Sequence, residues 1–217
     1  LKPHLPIDLL IFDFDGTLAD SIPAAVKAIQ DMISDLGLPY KTKEEINRHV
    51  GYGEVPLVSG AIGTEEPQLL KRAMEVYFQH YVKEGIKTIP LYPHVEDFLK
   101  YFHNKPKIIV SNKKDDFIKM ILDYHGLTAY FVEILGGDTS PCLKPDPCVI
   151  NNLIAKYKVS PERVLFIGDM TVDIETGKAA GVKTCAVTYG FHKIDQLEKL
   201  KPDFLVSDLL QLKDFII

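Results

Sequence analysis

The chain has 217 residues, 46% of them hydrophobic and 25% charged, a globular composition that excludes disorder as its main state. A net charge of −5 with no basic stripe argues against a general nucleic-acid binder. The apolar run Leu9–Phe12 is broken by Asp13, far short of the ~20 residues of a membrane-spanning helix, and no basic segment followed by an apolar stretch marks a signal peptide.

In chain order, Leu9-Leu10-Ile11-Phe12 reads as a buried strand that turns at Gly16. The next clear strand, Lys107-Ile108-Ile109-Val110, comes late, since a βαβ unit takes roughly 30 residues. The interval is helical. Ile22, Ala25, Val26, Ile29, Met32, Ile33 and Leu36 fall on one face, with Asp20 or Ser21 as N-cap, Pro23 in the first turn and Gly37 at the end. Thr42-Lys43-Glu44-Glu45 has capping-box spacing, and Leu70, Ala73, Met74, Tyr77, Phe78 and Tyr81 form another apolar stripe. Beyond the second strand, Phe117, Met120, Ile121 and Tyr124 predict a helix ended by Gly126, and Val149, Ile150, Leu153, Ile154 and Tyr157 predict another. Val132–Leu135, Val164–Ile167, Thr184–Val187 and Phe204–Val206 complete the strands. This alternation predicts an α/β fold with a doubly wound, Rossmann-like parallel sheet. The expected division is a core of residues 1–18 and 90–217, with a small helical cap domain inserted over 19–89. The cysteines Cys142, Cys148 and Cys185 are odd in number, contain no Cys-x-x-Cys pair and read as reduced thiols of a cytoplasmic protein.

In an open parallel sheet ligands bind beyond the carboxyl ends of the strands. Those ends here carry Asp13-Phe14-Asp15-Gly16-Thr17, Ser111-Asn112 and Gly168-Asp169 with Asp173, and a nearby loop carries Lys144-Pro145. Strand alternation sets Asp13 and Asp15 on one side. Carboxylates gathered without a cation raise one another's pKa. A hard divalent ion resolves this, and Mg²⁺ suits a few carboxylates with waters and phosphate oxygens.

Asp13-Phe14-Asp15-Gly16-Thr17-Leu18 resembles the first signature of the haloacid dehalogenase superfamily, and Ser111, Lys144 and Gly168-Asp169 through Asp173 resemble the other three in order. Val50-Gly51-Tyr52-Gly53, Leu91–Val95, Ser111-Asn112-Lys113, Gly136-Gly137-Asp138, Lys144–Pro147, Thr188–Phe191 and Pro202-Asp203 are similar to its phosphoglycolate phosphatase branch, which carries a helical cap between the first two signatures. The resemblance implies a Mg²⁺-dependent phosphatase of a small phosphorylated molecule, 2-phosphoglycolate first, with no nucleic-acid or membrane partner. It leaves monomer or homodimer open. It implies Asp13 as nucleophile and Asp15 as general acid–base. Gly16, Thr17, Ser111, Asn112 and Lys144 would bind phosphate. Asp13, Asp169 and the Asp15 carbonyl would bind the metal, with Asp173 behind them acting through a water or holding Lys144. Arg48, Gly51 and Tyr52 in the cap could face the substrate's other end, Arg48 pairing with a carboxylate. A pyrophosphatase, a sugar-phosphate phosphatase or a phosphoglucomutase of the same superfamily are alternatives. A non-catalytic phosphate-binding module is the reading from a different class.

Overall fold

Strand β1 (Leu9–Phe12) occupies the middle of the sheet and is buried along its whole length. The computed structural model describes residues 4–217. After β1 come helices α1 (Ile22–Asp35), α2 (Lys43–Asn47), α3 (Glu54–Ile62) and α4 (Pro67–His80). A π-helical turn at Tyr81–Gly85 and a 3₁₀ turn at Ile86–Thr88 lead on to α5 (Val95–Tyr101). The rest alternates: β2 (Lys107–Val110), α6 (Asp115–His125), β3 (Glu133–Leu135), α7 (Cys148–Tyr157), β4 (Val164–Gly168), α8 (Thr171–Ala179), β5 (Lys183–Val187), α9 (Ile194–Lys199) and β6 (Phe204–Val206).

The six strands form one sheet in the order β3-β2-β1-β4-β5-β6, and every neighbouring pair is parallel. The chain winds outward in both directions from the β1–β4 junction, which opens a crevice at the carboxyl ends of those strands. The pleat sorts the side chains. Leu10, Phe12, Ile109, Leu165 and Ile167 join α5 and α6 on one face, while Leu9, Ile11, Ile108, Val110, Val164 and Phe166 meet α7 on the other. Cover on both faces is why these strands read as unbroken apolar runs.

The capping box of α2 is formed: Glu45 N–H donates to Thr42 Oγ1 at 3.2 Å and Thr42 N–H to Glu45 Oε2 at 2.8 Å. Ser21 holds the N-cap position of α1, but its hydroxyl turns away and donates to Asp15. The buried face of α6 is Phe117, Ile118, Ile121 and Leu122. Met120 and Tyr124, which the spacing put inside, are 42% and 56% exposed. Both stripes are apolar, and packing against the sheet selects one of them.

Helices α1–α4 share one continuous hydrophobic cluster with the sheet, through Ile29, Met32, Val58 and Tyr77. Their two connections to the sheet run side by side. Asp20 N–H donates to Pro90 O at 2.9 Å, Tyr92 N–H donates to Leu18 O at 3.0 Å, and Ala19 bridges Leu91 in antiparallel fashion. No helix among the described residues is long and apolar enough to cross a membrane.

Phe98 is fully buried, with ring centroids 5.9 Å from Phe12 and 4.8 Å from Phe102. Phe98→Ala is expected to lower unfolding free energy by about 3–5 kcal/mol. Tyr124→Ala on the exposed face of α6 should stay within about 0.5 kcal/mol. Urea denaturation of the two variants checks both values.

Candidate active site

Four segments end at the same place. The turn after β1 delivers Asp13, held by its N–H to Ile167 O at 2.9 Å. Strand β2 ends at Ser111 and β4 leads into Asp169, while the loop before α7 brings in Lys144. Asp13, Ser111, Lys144, Asp169 and Asp173 are all buried.

Lys144 is the hub. Its Nζ lies 2.7 Å from Asp13 Oδ1 and 2.6 Å from Asp173 Oδ1. Asp173 Oδ2 accepts the Met170 N–H at 2.9 Å, so one carboxylate fixes both the lysine and the first turn of α8. Asp169 accepts from the Thr17 hydroxyl at 2.9 Å and the Phe191 N–H at 2.7 Å. Burial works against the charge on Lys144, but Asp13 and Asp173 outweigh it and raise its pKa. Burial also pushes Asp13 up to about 7, with Lys144 opposing and Asp173 and Asp15 adding to the rise. Asp169 is raised well above the usual carboxylate range by burial, then by Asp13 and Asp173.

Oxygens of Asp13, Asp169 and Asp173 lie within 4.8 Å of one another. Against these three buried carboxylates stands one contacting ammonium, Lys144. Their all-oxygen donor set, crowded enough to raise the pKa of Asp13 and Asp169, fits a hard divalent cation. The backbone is shaped around it as well. Gly16 has φ +81°, and a Cβ there would overlap the Asp169 carboxylate.

Asp13, Asp15, Ser111, Asn112, Lys144 and Gly51 line one cavity, roofed by Ile22, Ala25, Val50, Glu54, Leu57 and Tyr77 from the helical layer. Ser111 Oγ accepts a long bond from Lys113 N–H at 3.4 Å, which leaves its O–H free to donate into the cavity. Asn112 is at the wall with its amide already engaged. Its Nδ2 donates to Gly51 O and Lys144 O, both at 3.0 Å, and its Oδ1 accepts from Lys144 N–H at 2.9 Å. It positions the lysine loop and ties it to the helical layer. Thr17, expected at the phosphate, is fully buried and spends its hydroxyl on Asp169. Gly16 likewise packs on Asp169.

Of the three cap positions, only Gly51 reaches the cavity, where its φ of +95° favours glycine. Tyr52 is 47% exposed and borders a separate depression with Val55 and Phe78. Arg48 is exposed and lines another with Lys41, Glu45 and His49. The thiols also differ from the sequence reading. Cys142 and Cys148, on either side of Lys144, are joined as a disulfide with Cα atoms 6.3 Å apart, because the loop folds back on itself; Cys185 is free and buried.

Sequence reasoning gave no role in the site to Lys113, Glu54 or Ser21, the last read only as an N-cap. Lys113 Nζ is 3.1 Å from Asp15 Oδ1, and Glu54, buried in the cavity wall, accepts the Lys114 N–H at 2.8 Å. Lys113 stood in a quoted motif but is of a type that is seldom buried. Glu54 carries no local signal, and the signal at Ser21 is that of a helix N-cap.

A family model described as haloacid dehalogenase-like hydrolase matches residues 10–187. A phosphoglycolate phosphatase of Vibrio vulnificus strain YJ016 is 34% identical over 220 aligned positions, covering 97% of this chain and 96% of the relative. One from Aliivibrio fischeri is 35% identical over 211 positions, covering 93% and 92%. A solved structure from Haemophilus somnus 129pt, described as a predicted phosphoglycolate phosphatase, superposes with a TM-score of 0.90 at 26% identity, covering 96% of this chain and 97% of the other.

Lys144→Met removes the ammonium and leaves its carboxylates facing one another. At neutral pH without divalent cations the expected loss of stability is about 3–5 kcal/mol. Millimolar divalent cation should restore part of it by taking over the neutralisation. Urea midpoints with and without the cation measure both effects.

Proposed function

The chain belongs to the haloacid dehalogenase-like hydrolases and is a phosphatase, and from that premise we propose that it hydrolyses 2-phosphoglycolate through an aspartyl-phosphate on Asp13. The observation that carries this reading is the meeting of Asp13, Asp15, Ser111 and Lys144 on the wall of one small cavity beneath the helical layer. The names of relatives that match almost the whole chain support the substrate.

In this reading an Asp13 carboxylate oxygen attacks phosphorus as the bond to the glycolate oxygen breaks. Asp15 gives its proton to the departing alkoxide. Water then attacks the acyl phosphate, Asp15 takes the water's proton, and phosphate leaves with Asp13 regenerated. The Lys144 ammonium and the Ser111 hydroxyl stabilise the transferring oxygens. Asp13, Asp169 and the Asp15 carbonyl would hold Mg²⁺, which supplies positive charge to the phosphoryl oxygens. Asp173 acts only through Lys144, which it fixes at 2.6 Å. Residues 19–89 would act as a cap that closes over the ester and keeps bulk water out. The proposed compartment is the cytoplasm.

Phosphate release with Mg²⁺ from 2-phosphoglycolate, pyrophosphate, hexose phosphates, nucleoside monophosphates and phosphonoacetaldehyde tests the proposal. Preference for phosphoglycolate, abolished by Asp13→Asn and by EDTA, is expected. Preference for another ester would move the substrate, and undiminished turnover by Asp13→Asn would remove the mechanism. Because Arg48 borders a different depression, Arg48→Ala should leave the substrate profile unchanged.

A further inference from the structure

The ammonium of Lys113 lies on the seam between the sheet and the helical layer, with its side chain 4% exposed. It reaches both oxygens of one carboxylate, at 3.1 Å to Asp15 Oδ1 and 3.3 Å to Oδ2. Its other face sits over the Tyr81 ring, 4.5 Å from the centroid, where α4 loosens into the π-helical turn. Tyr77 and Glu54, from α4 and α3, line the same cavity wall. The second partner of the Asp15 carboxylate is the Ser21 hydroxyl at the start of α1. Asp15 and Lys113 therefore stand on the sheet side, and the groups that brace them stand on the helical insert.

The geometry points to Lys113 as a positioning residue, which fixes the Asp15 carboxyl for proton transfer once the helical insert has closed over it. A carboxyl on a tight turn keeps its side-chain rotation unless something grips it. An ammonium touching both oxygens sets the plane of the group. The Tyr81 ring beneath it sets the ammonium through a cation–π contact, which strengthens where it is desolvated. Misplacing a reacting group by about 1 Å can cost 10²-fold in rate. With the insert lifted, Lys113 loses Tyr81 and Asp15 loses Ser21 as fixed partners, so the proton donor is assembled only over an enclosed substrate. The inference rests on the reading of Asp15 as general acid–base.

The test uses the need of the leaving group for a proton. An alkyl phosphate expels a strongly basic alkoxide, whereas p-nitrophenyl phosphate expels a stable phenolate that needs none. Single-turnover alcohol release is measured for both esters in wild type, Lys113→Met, Lys113→Arg and Asp15→Asn. Lys113→Met should lose about 10²-fold in kcat on the alkyl ester with KM little changed. Its first-turnover release of nitrophenol should stay near wild type, and Lys113→Arg should recover most of the loss. Equal losses on both esters, or a loss confined to KM, would overturn the inference while leaving Asp15's role intact. That role fails separately if Asp15→Asn itself shows no difference between the esters. Should Lys113→Met not fold by circular dichroism, Tyr81→Leu removes only the ring under the ammonium. It is expected to give the same split between esters, and a uniform effect would count against the proposal.

Discussion

A single buried ammonium between two carboxylates holds the site together. Lys144 comes from a loop, Asp13 from the end of β1 and Asp173 from the first turn of α8, and the three meet within 2.7 Å contacts. Ions taken out of water cost several kcal/mol each, so the arrangement persists only where every partner is in place. The surrounding hydrogen bonds supply that condition. Asn112 grips the Lys144 backbone on both sides, the Met170 N–H holds Asp173, and Thr17 with the Phe191 N–H holds Asp169. The crowding of carboxylates around the ammonium is compatible with a divalent cation.

The strands were legible because burial on both faces demands unbroken apolar runs, and β2 and β6 fall on the residues that the runs marked. The helix α3 was not, since Pro56 and Gly60 interrupt any helical signal within it. On α6 two apolar stripes competed, and nothing local said which one the sheet would take. The site residues at strand ends could be placed from topology alone. Thr17 and Asn112 could not be given their proper partners, because spacing tells where a polar side chain stands and not what it bonds. Arg48, a plausible charge in the right segment, lines a different hollow.

The seam between sheet and helical layer is joined in two ways. Phe117 on α6 meets Phe78 and Tyr81 with ring centroids 5.3 and 5.0 Å apart, an apolar contact that is indifferent to charge. At the cavity the joints are polar and specific, from Asn112 to the Gly51 carbonyl and from Glu54 to the Lys114 amide. The apolar half supplies adhesion. The polar half sets the register in which the helical layer forms the wall of the cavity. Excluding water there strengthens each remaining charge interaction, since Coulomb energies scale inversely with the local dielectric.

The paired connections, Leu18–Asp20 beside Pro90–Tyr92, have a consequence for the architecture as a whole. A segment that leaves and returns through two hydrogen-bonded neighbouring connections presents the sheet with the geometry of a short hairpin at its base. The sheet does not sense the insert's length, and loop-closure entropy rises only slowly with added residues. The paired ends join the helical layer to the sheet at one place, and its packing on the shared hydrophobic cluster joins it at another.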